Sequence, residues 1–263
     1  MLEPVKNRLR CDRRQKTGTK EWAESNVNIC YGCKNNCRYC YAKKMAIRFG
    51  RTTEQFWSKM VINQKAVEKK YTRRHGTVMF PSTHDITSEI LESCVFVLKK
   101  LLEAGNAVLI TTKPELRCVQ EMCHTFKAYK KQILFRFTIG SINNKILKFW
   151  EPNAPLFEER FESLKFASSL AYATSVSIEP FLDYNPIPLV EKIYPFVSDT
   201  IWIGKMNYIK AKGIKPNNIN YYKAIRKNYE FSNISKIIQS LNCKKKIKWK
   251  DSINKILDLV NLN

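Results

Sequence analysis

GTVMFPSTHDITSEILESCVFVLKKLLEAGNAVLITT, residues 76–112, contains one complete strand–helix–strand unit. GTVMF (76–80) is a compact apolar strand ended by Pro81. Thr87 and Ser88 both suit an N-cap. Beyond them Ile90, Leu91, Cys94, Val97, Leu98 and Leu101 recur at helical spacing until Gly105 stops the run. NAVLITT (106–112) is the next strand. Two strands joined by a helix read as parallel neighbours with a right-handed crossover.

The unit recurs outward in both directions. PELRCVQEMCHTFKAY opens a helix with Pro114 in its first turn, QILFRFTIG (132–140) is a strand, and PLFEERFESLKFASSLA is a helix. ATSVSIEP (173–180) is a strand, followed by a Pro-punctuated helical stretch to about 196. DTIWIG (199–204) is another strand, and a helix is expected over 217–241. KIKW (246–249) reads as a last strand and SINKILDLV as a terminal helix. Toward the N-terminus, ESNVNIC (24–30) alternates as a strand, YAKKMAIRFG forms a short helix stopped at Gly50, and a further helical stretch is expected near 59–71. Strands alternating with helices imply a parallel sheet. No Gly-rich dinucleotide turn follows the first strand, which argues against a Rossmann domain. The expected fold is α/β, a partial (β/α)6-type TIM barrel spanning 22–210. A basic N-terminal arm (1–21) precedes it, and a Lys-rich helical extension (211–263) packs on it.

The 263 residues are 44% hydrophobic, enough for a sizeable core, and no apolar run approaches membrane-spanning length. Basic residues at the start have no apolar segment behind them, so the expectation is a cytoplasmic protein without a secretory signal. The formal charge is +23, concentrated in 1–20 and 205–263. Such a surface attracts nucleic acid. The joint Lys, Asn and Ile richness of the tail is also what AT-rich coding produces without any binding role.

The chemistry-bearing stretch is CYGCKNNCRYCYA, with Cys33-x3-Cys37-x2-Cys40. Three thiolates on a short loop can each hold one iron of a [4Fe–4S] cube, leaving the fourth iron open to the amino and carboxylate groups of S-adenosylmethionine. A zinc site normally separates its cysteine pairs by roughly a dozen residues or more. A ferredoxin-type carrier uses four cysteines, often followed by Pro, where Tyr41 stands here. Cys30 could supply a fourth thiolate, but as the end of the strand NVNIC its side chain can point into the barrel instead. Cys94 fits a core stripe, and Cys118 and Cys123, five apart on a helix, should not share a face. His84 beside Asp85, at an expected barrel mouth, is a catalytic candidate.

GCKNNCRYCYA at 32–42, and more weakly MFPSTHDIT, VLITTKP, FTIGS, ERFESLKFA, SIEP and WIGKMN, resemble the radical SAM superfamily. Within it they are similar to the spore photoproduct lyase and putative DNA repair photolyase group, over about residues 22–207. The resemblance implies that Cys33, Cys37 and Cys40 ligate the cluster and that Tyr39 lies near the adenine of S-adenosylmethionine. It also implies cofactor contacts from strand ends: Ser82, Thr83, Asp85, Lys113, Thr138, Ser141, Glu179 and Lys205, together with Thr112 and Gly204. Hydroxyls and carboxylates suit ribose and the methionine ammonium, and lysine suits its carboxylate. An electron donor of flavodoxin or ferredoxin type and a nucleic-acid or nucleobase-containing substrate are implied too. The alternatives are a radical maturase acting on peptide or protein and a non-catalytic iron–sulfur or zinc module that binds nucleic acid. Spore photoproduct lyase resembles this chain but draws a hydrogen-donor cysteine from the region after the second strand. PSTHDIT has none.

Overall fold

The computed structural model describes residues 17–260, so residues 1–16 of the basic arm lie outside the described residues. The chain runs through β1 (Ser25–Asn26), β2 (Cys30–Tyr31), α1 (Tyr41–Arg48), β3 (Val61–Ile62), α2 (Gln64–Glu68), β4 (Thr77–Phe80), α3 (Leu91–Glu103), β5 (Ala107–Thr112) and α4 (Leu116–Thr125). It continues through β6 (Ile133–Thr138), α5 (Asn144–Trp150), α6 (Phe157–Ser169), β7 (Ala173–Ile178), α7 (Ile187–Ile193), β8 (Ile201–Ile203), α8 (Ile219–Asn228), α9 (Phe231–Leu241), β9 (Ile247–Trp249) and α10 (Asp251–Val260).

Seven strands form one parallel sheet in the order β1-β4-β5-β6-β7-β8-β9, a partial barrel open between β1 and β9. Strands β5 and β7 are buried from their second residue onward, the two-faced burial expected of a parallel sheet. Val78, Phe80, Val108, Ile110, Phe135, Phe137, Val176 and Ile178 belong to the main core with the buried faces of α3, α4 and α6. Met79 and Leu109 belong instead to a small separate cluster with Trp22, Ala23 and Leu134. The open seam is bridged by the turn Gly18–Glu21: Lys250 Nζ, just after β9, lies 2.6 Å from Glu21 Oε1 and donates to Gly18 O at 2.8 Å.

Several local expectations need correction. The strand expected over 24–30 divides, because the chain leaves the sheet after Asn26 and Cys30–Tyr31 pairs antiparallel with Val61–Ile62 in a separate ribbon. The ribbon takes residues from the helix expected near 59–71 and leaves only α2. The helix expected over 217–241 is α8 and α9, parted at Tyr229–Glu230, where Tyr229 Oη donates to Phe181 O. Helix α5 was not anticipated. Cys118 and Cys123 are both buried, on a helix that packs against α6.

Candidate active site

The cysteine loop is placed by a close backbone crossing. Cys33 N donates to Trp57 O at 2.8 Å, and Gly32 has φ +83°. A Cβ at Gly32 would stand 2.6 Å from that same Trp57 oxygen, so only glycine fits. The loop then hands over to α1, where Cys40 caps the helix by accepting from Lys43 N at 3.4 Å. Cys33, Cys37 and Cys40 all line a cavity of about 850 Å³ at the C-terminal edge of the sheet, the edge where (β/α) barrels carry their sites.

Most of the expected site residues meet there. Tyr39, Ser82, Thr83, His84, Asp85, Thr112, Lys113, Thr138, Glu179 and Lys205 all line the cavity. Ser141 does not: its hydroxyl donates to Asp183 Oδ1 at 2.6 Å, behind the wall. Gly204 lies against that wall, where a Cβ would stand 2.9 Å from Cγ of both Glu179 and Lys250. Cys30 is also elsewhere. It is buried in the main core, not in the barrel interior, in the electrostatic neighbourhood of Cys94, and burial pushes its thiol up to about 11.

Asp85 is the hub of the deep wall. Its carboxylate accepts from Lys113 N at 2.7 Å and Asn35 Nδ2 at 2.8 Å, with Lys113 Nζ at 3.6 Å and Cys33 Sγ at 3.6 Å. Burial opposes its charge, but Lys113 and these donors together hold it below the ordinary carboxylate range. Burial likewise opposes the charge of Lys113, but Asp85, Cys37 and Glu151 together hold its pKa above the ordinary lysine value. Burial raises the three cavity thiols as well, so binding a metal there means displacing their protons.

His84 has another task. Its Nε2 accepts from Ile29 N at 3.2 Å and its Nδ1 lies 3.1 Å from Asp85 O, so the neutral ring donates from Nδ1 and both nitrogens are engaged by backbone. Burial lowers its pKa, consistent with that neutral form. The ring thus fixes the turn that carries Asp85. Ser82 and Thr83 are fixed by Asn28, whose Oδ1 accepts from both backbone amides at 2.7 and 3.0 Å and whose Nδ2 donates to Ser82 Oγ.

Tyr39 is anchored from behind by residues that carry no sequence signal. Its hydroxyl bonds to Glu151, and Glu151 is ion-paired with the fully buried Arg160. Arg160 also donates to Pro155 O at 2.7 Å and Thr138 O at 3.2 Å. On the opposite wall, Glu179 has a partner, Lys250 Nζ at 3.7 Å. Burial pushes Glu179 up to about 7 even against that ammonium. Sequence reasoning missed Lys250, although its place directly after the last expected strand is the same strand-end position that singled out the others. Ser177 was missed too.

These residues suit a sulfur-rich guest. Three thiols line the cavity with Trp57, which is 3% exposed and whose Nε1 has no hydrogen-bond partner among the described residues. Soft sulfur ligands beside an unpaired N–H donor match an iron–sulfur cluster, whose sulfurs accept hydrogen bonds. Among the described residues, no three His, Cys, Asp or Glu side chains stand ready at metal-holding distance, so the thiols share a wall rather than a finished cage.

The open parallel barrel is a radical SAM-like fold. Streptococcus suis SuiB bound to its precursor peptide SuiA superposes with a TM-score of 0.55 at 12% identity, covering 90% of this chain and 51% of that one. SuiB bound to S-adenosylmethionine gives 0.51 at 11% identity, over 86% and 50% of the two chains. Spore photoproduct lyase with dinucleoside spore photoproduct gives 0.50 at 16% identity, over 83% and 64%. In sequence, the uncharacterized protein ORF301 of Acidianus two-tailed virus is 25% identical over 178 residues, 63% of this chain. The chain spans 58% of that relative's length. No protein-family model matches. No helix among the described residues is long and apolar enough to cross a membrane.

Proposed function

We propose that this chain is a radical SAM enzyme in which Cys33, Cys37 and Cys40 hold a [4Fe–4S] cluster and the adjoining cavity holds S-adenosylmethionine. The carrying observation is the division of the cysteines: Cys33, Cys37 and Cys40 line one cavity, and Cys30, the near neighbour that could close the fourth iron, is buried in the core and does not line it. When bound, the pair supplies one-electron cleavage of the sulfonium C–S bond and a 5′-deoxyadenosyl radical able to abstract hydrogen. The protein's own part is to bind, orient and shield. Asp85 keeps Lys113 charged and in place beside the thiols. Glu179 offers a carboxylate to the methionine ammonium, and Lys205 a cation to its carboxylate. Tyr39, held by Glu151, presents a rigid ring to the adenine. Thr138, Ser177, Ser82 and Thr83 offer hydroxyls to the ribose.

The substrate in this reading is a nucleic acid or a nucleobase-containing molecule, with a lyase-like or modifying outcome. Support comes from the charge of +23 and from the cavity rim, where exposed Tyr41 and Tyr208 stack at 6.0 Å and Lys44 lies 4.4 Å from the Tyr208 ring. A peptide substrate is the second reading, favoured by the match to peptide-bound SuiB over 90% of this chain. Anaerobic reconstitution with iron and sulfide, then dithionite and S-adenosylmethionine, should yield cluster absorbance and 5′-deoxyadenosine. An oligonucleotide should stimulate that yield more than a peptide does. Folded protein giving neither absorbance nor product contradicts the enzyme reading.

A further inference from the structure

A second hollow of about 350 Å³ lies beside the cysteine loop and shares no lining residue with the cavity. Arg38, Lys210 and Lys215 line it, with Tyr222 and asparagines, and no acidic residue does. Arg38 sits between Cys37 and Cys40 in sequence, so the same short loop turns its thiols to the cavity and its guanidinium to the groove. That guanidinium is held in place. Its Nε donates to Phe149 O at 2.5 Å, it lies 4.6 Å from the Phe149 ring centre, and Arg38 N donates to Trp150 O at 2.8 Å. Lys210 is fixed through its carbonyl, which accepts from Arg226 Nη2 at 2.7 Å. Phe149 stacks on Tyr221 at 3.8 Å and Trp150 packs on Tyr222 at 5.0 Å. Phe149 and Trp150, through their bonds to Arg38, therefore tie the groove to the cysteine loop.

We propose that this groove docks an acidic one-electron carrier protein. The proposal rests on reading Cys33, Cys37 and Cys40 as cluster ligands. In the step it serves, one electron leaves the carrier's reduced flavin and converts the [4Fe–4S]2+ core to [4Fe–4S]+. The location favours a carrier over nucleic acid. A substrate must bring its reacting atoms into the cavity, while a carrier needs only a short packed path to the cluster and should leave the cavity mouth clear. Three clustered cations without an acidic neighbour complement an acidic surface and speed its encounter at low salt.

The test compares wild-type holoprotein with a Lys210→Glu, Lys215→Glu double variant, leaving Arg38 untouched because of its place among the ligands. Reduced flavodoxin and dithionite serve as alternative reductants in stopped-flow absorbance at low ionic strength. The double variant should be reduced by flavodoxin about tenfold more slowly or worse, with a flatter salt dependence, while dithionite reduces both proteins alike. If the Glu variant misfolds, Lys210→Gln with Lys215→Gln should show a smaller slowing in the same direction. An unchanged flavodoxin rate overturns the proposal. So does an oligonucleotide affinity that falls while the flavodoxin rate holds, which would make the groove a nucleic-acid surface. A wild-type protein that takes up no iron–sulfur cluster refutes the cluster reading and this proposal with it, and iron analysis identifies that failure before any kinetics are run.

Discussion

Cys33, Cys37 and Cys40 lie on an irregular loop and line an 850 Å³ cavity, whereas Cys30, Cys94, Cys118 and Cys123 lie in the packed core. Burial raises the thiol pKa in both places, so acidity does not tell the two groups apart. Their neighbours do. The cavity thiols have space in front of them, the Lys113 ammonium within electrostatic reach, and a helix-cap N–H on Cys40. The core thiols belong to the same packed cluster as Val67, Tyr71, Val97, Val119 and Met122, where cysteine serves as a small apolar side chain. A cysteine's role here follows from what it faces.

The largest effect should come from breaking the cavity side of that comparison. Alanine at Cys33, Cys37 or Cys40 is expected to abolish cluster uptake, read as iron content and visible absorbance after reconstitution. Any one of these variants retaining a full cluster would remove that residue from the ligand set.

The wall behind Tyr39 is next. Glu151→Gln leaves the Arg160 guanidinium buried without its counter-charge, which should cost about 3–5 kcal/mol in urea unfolding of the apoprotein. A loss below about 1 kcal/mol would mean that Arg160 is satisfied by its carbonyl acceptors alone.

Across the cavity, Glu179 should make apoprotein stability depend on pH. Its folded pKa of about 7 lies above the ordinary 4.5, so the fold favours the protonated acid. The stabilisation is complete below pH 4.5 and is lost as the pH rises through 7. The groups facing it are Lys250, Glu21, Asp251 and Tyr229. Glu179→Gln should flatten the curve over that window by on the order of 3 kcal/mol, measured by urea unfolding at stepped pH. An equally steep curve in the variant would assign the titration to Glu21, the other carboxyl that burial raises.

The smallest effect belongs to the core side. Cys94→Ala should lower stability by about 1–2 kcal/mol and leave iron content at the wild-type level. Lost iron would erase the distinction between the two groups of thiols.

The strands and the crossover helix α3 were legible because burial on two faces, helical periodicity and the stops at Pro81 and Gly105 are local signals. The cysteine loop stood out because three cysteines within eight residues on an aperiodic stretch are a local signal too. Strand-end counting then brought Ser82, Thr83, Asp85, Lys113, Thr138, Glu179 and Lys205 to the cavity. It failed at Ser141, where the chain has already turned from the strand to pair with Asp183. Glu151, Arg160 and Asn28 were not legible, because a buried ion pair and a loop staple between residues far apart in sequence leave no period to read. The task of His84 was hidden for the same reason: only the fold brings Ile29 N to its ring.

The central claim is that the cluster has three protein ligands and one open iron, with Cys30 playing no part. Mössbauer spectroscopy of 57Fe-reconstituted protein, wild type and Cys30→Ala, before and after S-adenosylmethionine is added, tests it most directly. The account predicts that both proteins hold a [4Fe–4S] cluster and that S-adenosylmethionine alters the signal of one iron in four in each. Loss of the cluster in Cys30→Ala, or a wild-type spectrum that S-adenosylmethionine leaves unchanged, would contradict it.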